Sequence, residues 1–218
     1  MTPRLGSRDL SGRLTPLRRA SDAPDAAAHL ITLQAWVDAF LSASNLNLGR
    51  SGPVCPFTRG ASERDLLWVS TVPGQALELK EVERELHAFT DLFRKLEPTV
   101  GSDALLKAIL ITFPELDDIT MIESLQRDLK SEFVAAGLMI GEFYPGCTAP
   151  GMWNPDFRPL DCPVPLIAIR QMVSSDFVFL NSRSDWVKSY LRVFAPGIPD
   201  RARAHLAASF DAAGPGTV

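Results

Sequence analysis

Apolar side chains recur along this chain in two periods. Leu30, Leu33, Val37, Phe40 and Leu41 are three and four residues apart, which predicts a helix that starts near Asp25, buries one face and ends at Asn45 to Gly49. "LLWVSTV" (66 to 72) is short, rich in apolar and β-branched residues, and closed by Pro73-Gly74, so it reads as a strand and a turn. Leu79, Val82, Leu86, Phe89, Phe93 and Leu96 then trace a single helical stripe with Glu and Lys between them. "KAILITFP" (107 to 114) is a continuous apolar run of the kind that forms a strand buried on both faces. Asp117 and Asp118 offer an N-cap to a helix whose stripe is Ile119, Ile122, Leu125, Leu129 and Phe133, and Gly137 suits its C-terminal turn. "LMIGEFYP" (138 to 145) and "PLIAIRQM" (165 to 172) predict two more strands, and two helices are expected over Ser184 to Phe194 and Asp200 to Ala213.

Strand, helix, strand, helix, strand over residues 66 to 144 implies an α/β (or α+β) fold. The expectation is a mixed four- to five-stranded sheet with right-handed crossovers and packed helices, a ferredoxin-like arrangement being the alternative. Residues 1 to 24 are expected to be a disordered basic arm, residues 25 to 213 a single α/β domain, and residues 214 to 218 a disordered tail. Between Pro145 and Pro163 periodicity disappears into "PGCTAPGMWNPDFRPLDCP". A loop of that length inside a compact domain is expected to be a binding loop or lid.

Composition narrows the function classes. Of 218 residues, 46% are apolar and 22% charged, the balance of a soluble globular protein, and no apolar run approaches the roughly 18 residues that span a bilayer. The net charge of -4 conceals an arm with Arg4, Arg8, Arg13, Arg18 and Arg19 against Asp9. The body is therefore acidic, which argues against a nucleic-acid footprint there. Three cysteines and no apolar leader argue for a reduced, cytoplasmic protein. Neither a membrane nor a nucleic acid is an expected partner, and the oligomeric state is left open.

The candidate chemistry is sparse. Glycine-rich phosphate loops, H-E-x-x-H and G-x-S-x-G are all absent, and His29, His87 and His205 fall in predicted helices at no ligand spacing. Cys55, in "GRSGPVCPFTRG" (49 to 60), is the best single candidate: prolines restrain it, and Arg50 and Arg59 can favour its thiolate if the loop turns them inward. A thiolate held this way can be a nucleophile or a soft ligand to haem iron, whereas a structural Cys55 would be a small buried hydrophobe. Glu142 and Tyr144 end the third strand, where α/β sheets place pocket mouths, so both are acid–base candidates, with Trp153 and Asn154 as substrate-loop residues. Arg170 interrupts an apolar strand. It is a candidate for pairing a substrate carboxylate or a haem propionate, the alternative being an internal salt bridge to Asp161 or Asp176.

Three segments, "GPVCPF" (52 to 57), "GEFYPG" (141 to 146) and "PVPLIAIRQM" (163 to 172), together resemble a small bacterial and fungal family of unknown function. They resemble more distantly a second uncharacterised bacterial family with Cys-Pro-Phe, Phe-His-Pro and Ser-Pro-x-Pro segments. The resemblance extends over about residues 30 to 195 and implies that Cys55, Pro56, Phe57, Phe143, Pro145, Pro163, Pro165 and Arg170 hold the pattern's marked positions. Tyr144 departs from the more distant family's histidine, and Cys162 from its serine. Members of the closer family lie among genes for specialised metabolites, which implies small-molecule tailoring. The resulting expectation is a tailoring enzyme with Cys55 as thiolate ligand of haem, Pro56 and Phe57 beside it, and a small, carboxylate-bearing substrate. A cofactor-free cysteine transferase and a non-catalytic partner protein are the alternatives.

Overall fold

The structure, a computed structural model, describes residues 10–212. Five strands form one open sheet in the order β1-β2-β3-β5-β4: β1 (Thr15–Pro16), β2 (Leu67–Thr71), β3 (Ala108–Thr112), β4 (Leu138–Phe143) and β5 (Leu166–Gln171). β2 and β3 are parallel neighbours, while β5 runs antiparallel between β3 and β4. The mixed sheet is therefore the expected one. The ferredoxin-like alternative is not adopted, because the strands of the first β-α-β unit lie side by side.

One face is covered by α4 (Leu79–Lys95) and α5 (Thr120–Ala135). Their stripes, among them Leu86, Phe89, Ile122 and Phe133, bury Ile109, Ile111, Ile140, Ile167 and Ile169. This is the main core, and its apolar area supplies most of the fold's stability. Lys107, buried just before β3, ends α4: its ammonium donates to the carbonyls of Phe93, Leu96 and Pro98 at 2.8, 2.5 and 3.2 Å, where the helix dipole favours a cation. Burial holds its pKa below the ordinary lysine value.

The opposite face carries α1 (Leu17–Ser21), α2 (Ala28–Trp36) and α3 (Thr58–Glu63). α2 runs into one π-helical turn, Val37–Leu41, in which the Ser42 N–H donates to the Val37 carbonyl at 2.9 Å. α6 (Ser184–Phe194) and α7 (Asp200–Ala212) pack on each other, and Trp186 and Tyr190 of α6 lie against Met139 and Met172.

The expected arm boundary at residue 25 is corrected. Residues 1–9 and 213–218 lie outside the described residues, but β1 pairs with β2 and Leu17 is 0% exposed. Three of the arginines that suggest a solvated arm, Arg13, Arg18 and Arg19, lie within the described residues and have partners. Arg13 pairs with buried Glu85, Arg18 donates to Ser62 Oγ at 3.1 Å, and Arg19 donates to Asp65 at 2.8 Å.

Candidate functional site

The second sheet face is only partly filled. A cavity of about 450 Å³ crosses it from Leu67 on β2 to the edge strand β4, within the roughly 300–1,000 Å³ common for small-molecule sites. Strand spacing of about 4.8 Å makes this a trough some 14 Å across. Its depth comes from small residues: Ala108, Ala168 and Gly141 line the floor, and Ala168 and Gly141 are cross-strand partners. Leu33, Trp36, Val37 and Leu41 form the wall from α2 and its π turn, with Cys55, Phe57, Thr58 and Ala61 beside them. The Trp36 ring stands edge-on to Phe143 at 6.1 Å and stacks on Phe40 at 5.4 Å, which fixes that wall.

Backbone bonds hold Cys55 at this wall. Its N–H donates to the Leu41 carbonyl at 2.9 Å, and the Val54 N–H donates to Ala43 at 3.1 Å, so the segment folds back on the π turn. The arginines do not face the thiol as anticipated. Arg50 donates to the Ser51 and Val54 carbonyls, and Arg59 to the Ser42 carbonyl, at 2.9 to 3.1 Å. They clamp the loop, and Pro56 does not line the cavity.

Arg170 lines the cavity but is already paired. Its guanidinium makes a two-pronged contact with Asp176, at 2.7 and 2.6 Å, and donates to the Gln171 carbonyl at 3.0 Å. Asp176 is 2% exposed, so this pairing neutralises an otherwise costly buried carboxylate. The internal salt bridge is therefore the observed arrangement.

Adjacent strand residues point to opposite faces, which separates Tyr144 from Cys55. Tyr144 packs in the α4/α5 core, 9% exposed, and its hydroxyl donates to Glu123 on α5. That bond, with burial, raises its pKa well above 10, so it holds its proton at neutral pH. Glu142 faces the same side but reaches the cavity at the β4 edge, together with Gln126 and Lys130 of α5. Burial raises the Glu142 pKa and lowers that of Lys130, while each charge opposes the other's shift. The Lys130 ammonium also stands 4.4 Å from the Trp186 ring centroid.

The proline-rich loop is a packed wall. Ala149, Pro150 and Leu160 line the cavity, and buried Phe157 stacks on Phe40 at 5.7 Å. Trp153 is 61% exposed, and its backbone lies where a Cβ on Gly49 would sit at 2.7 Å, so that glycine, at φ +81°, is required for close approach. The Asn154 side chain donates to the Asn47 carbonyl at 2.7 Å. These two residues tie the loop to the segment before Cys55 and do not line the cavity. Buried Cys162 has its thiol pushed up to about 12 by desolvation.

Cys55, Phe57, Glu142 and Arg170 are thus brought to one cavity, and Tyr144, Pro56, Trp153 and Asn154 lie outside it. Trp36, Gln126 and Lys130 escaped the sequence reading because they sit in ordinary amphipathic stripes. Gly141 and Ala168 carried a usable signal: a glycine or alanine inside an apolar strand marks a place where something approaches the backbone closely. Among the described residues no group of three or more His, Cys, Asp or Glu is placed to hold a metal ion, and no helix is long and apolar enough to cross a membrane.

A family model described as a domain of unknown function (DUF6875) matches residues 30–205. No curated protein and no solved structure matches the chain.

Proposed function

The chain belongs to that family of unknown function, and from this premise we propose a small-molecule tailoring enzyme whose reaction takes place in the trough across the sheet. The observation that carries the reading is an apolar cavity of about 450 Å³ with one free thiol, Cys55, in its wall. In the version we put forward Cys55 is the thiolate ligand of a haem. The residues present fit such a group in three respects. Cys55 is held by backbone bonds, the small side chains of Ala108 and Ala168 leave room over the floor for a flat ring system, and Leu33, Trp36, Val37 and Leu41 offer it an apolar wall. Bound there, haem would supply redox chemistry at its iron. Trp36 and Phe57 would flank the ring, and Glu142, whose pKa burial raises above the ordinary carboxylate value, would accept or return a proton at its carboxyl. Arg170 is left out of this assignment, since Asp176 already occupies its donors.

That pairing also favours a second reading, in which Cys55 attacks a cofactor-free electrophilic substrate. The absorption spectrum of the chain expressed with haem precursor separates the two. A Soret band that shifts or disappears in Cys55→Ser is the expected result. Absence of a Soret band after stoichiometric haem has been supplied overturns the haem version. In that case iodoacetamide at near-neutral pH should label Cys55 well ahead of Cys147 and Cys162, and uniformly slow labelling would remove the nucleophile version as well.

A further inference from the structure

The trough lines on five consecutive residues of β4, Met139 to Phe143. Side chains of a strand alternate between faces, so a single cavity meets all five only where it runs along the strand's backbone edge. β4 is the last strand of the sheet. Which of its amides point outward follows from the register. The Met172 N–H donates to the Gly137 carbonyl at 3.1 Å. Bonded and non-bonded pairs alternate in an antiparallel ladder, so Met139, Gly141 and Phe143 exchange bonds with Arg170, Ala168 and Leu166. Ile140 and Glu142 therefore turn their N–H and C=O groups away from β5, toward the cavity. In keeping with this, the Glu142 carboxylate accepts from its own N–H, and among the described residues no other group is bonded to the outward amide of Ile140.

The chain itself shows what this edge accepts. One step further in the same alternation, the Tyr144 N–H donates to the Leu160 carbonyl at 3.3 Å and its carbonyl accepts from the Cys162 N–H at 3.3 Å, a parallel bridge to Asp161. Loop backbone is added to β4 there, and where it stops, at Leu160, the cavity begins.

We propose that the trough takes substrates carrying an aminoacyl amide unit, bound by strand addition to the free edge of β4 opposite Gly141. The ligand N–H donates to the Ile140 carbonyl, the ligand C=O displaces the Glu142 carboxylate and accepts from the Glu142 N–H, and the attached apolar side chain lies against the Phe143 ring, which packs on Gly141, and reaches toward Ala168. Free amino-acid derivatives and peptide termini share this chemistry. The proposal rests on the cavity reading above but not on Cys55.

The test is calorimetric titration of the full chain in a Cys55→Ser background, so that failure of the thiol chemistry leaves it untouched. The probes are N-acetylphenylalanine N-methylamide and its depsi analogue, in which ester oxygen replaces the N–H. The amide should bind at least about fivefold more tightly. Glu142→Pro, which removes an edge N–H without breaking a ladder bond, should weaken the amide about fivefold or more. Glu142→Ala keeps that N–H and removes the carboxylate that accepts it in the parent, so it should bind the amide at least about fivefold more tightly than Glu142→Pro does. Equal binding of the two probes, equal binding by the two Glu142 variants, or no binding of either probe overturns the proposal. If Glu142→Pro fails to fold, the probe comparison on the parent decides alone. Equal, saturable binding of both probes would still leave the cavity reading standing.

Discussion

Tyr144 and Glu123 show how one hydrogen bond redirects a residue that sequence position had marked for catalysis. The phenol is buried against α5, and its hydroxyl donates to the Glu123 carboxylate. Its pKa is raised above the ordinary 10 first by that bond and then by desolvation. The folded state therefore binds the proton more tightly than the unfolded chain does. The resulting stability is fully present below about pH 10 and is lost as pH rises from there toward the folded-state value. Tyr144→Phe should cost about 1 kcal/mol at neutral pH, because exposed Glu123 is rehydrated once its donor is gone. That deficit should narrow above about pH 10, where the parent loses the same contribution. Urea unfolding of both proteins at pH ~8 and ~10.5 measures it. A deficit independent of pH would mean that lost packing, and not the hydroxyl's hydrogen bond to Glu123, matters. Arg170 and Asp176 teach the same lesson: an arginine in an apolar strand announces a partner, and here the partner is six residues away in the chain.

Charge alone misplaces β1 and α1, which belong to the folded domain. Five arginines against one acid in the first twenty residues describe a solvated arm only if nothing buried faces them. Leu14 packs with the α4/α5 core, and Leu17 with the opposite cluster. Leu17→Ala should therefore destabilise the whole fold by about 2–5 kcal/mol, the range for a fully buried leucine, as read by chemical denaturation. An arm outside the domain would show no change. The longer elements were legible because their periods were long enough to be unambiguous: the predicted strand at 107 to 114 is β3 at Ala108–Thr112, and the stripe ending at Leu96 is α4 at Leu79–Lys95. Strand order and the faces on which side chains meet were not. Phe143 and Tyr144 are neighbours in one predicted strand, yet Phe143 packs with the α2 side of the sheet and Tyr144 with the α5 side. Which of them shares a cavity with Cys55 depends on what covers each face, and that is a tertiary fact with no local signature.

Taken whole, the molecule spends its packing unevenly. One sheet face is closed by two long helices with large, fully buried side chains, while the other leaves a trough over Ala108, Ala168 and Gly141 although larger apolar residues would suit a strand there. Evolution for stability alone would fill such a space, since filling a cavity commonly adds roughly 0.5–2 kcal/mol. Ala168→Leu makes that comparison directly. Ala168 is half-buried, it faces the trough between Leu110 and Gly141, and its backbone pairing is independent of its side chain. The variant should unfold at a temperature equal to or above that of the parent, by differential scanning calorimetry, while losing most of its affinity for the aminoacyl amide probe and any haem-dependent absorption that the parent displays. A destabilised variant would mean that the trough is already packed in solution. A stabilised variant with unchanged binding would move the ligand off the sheet face altogether, to the β4 edge alone.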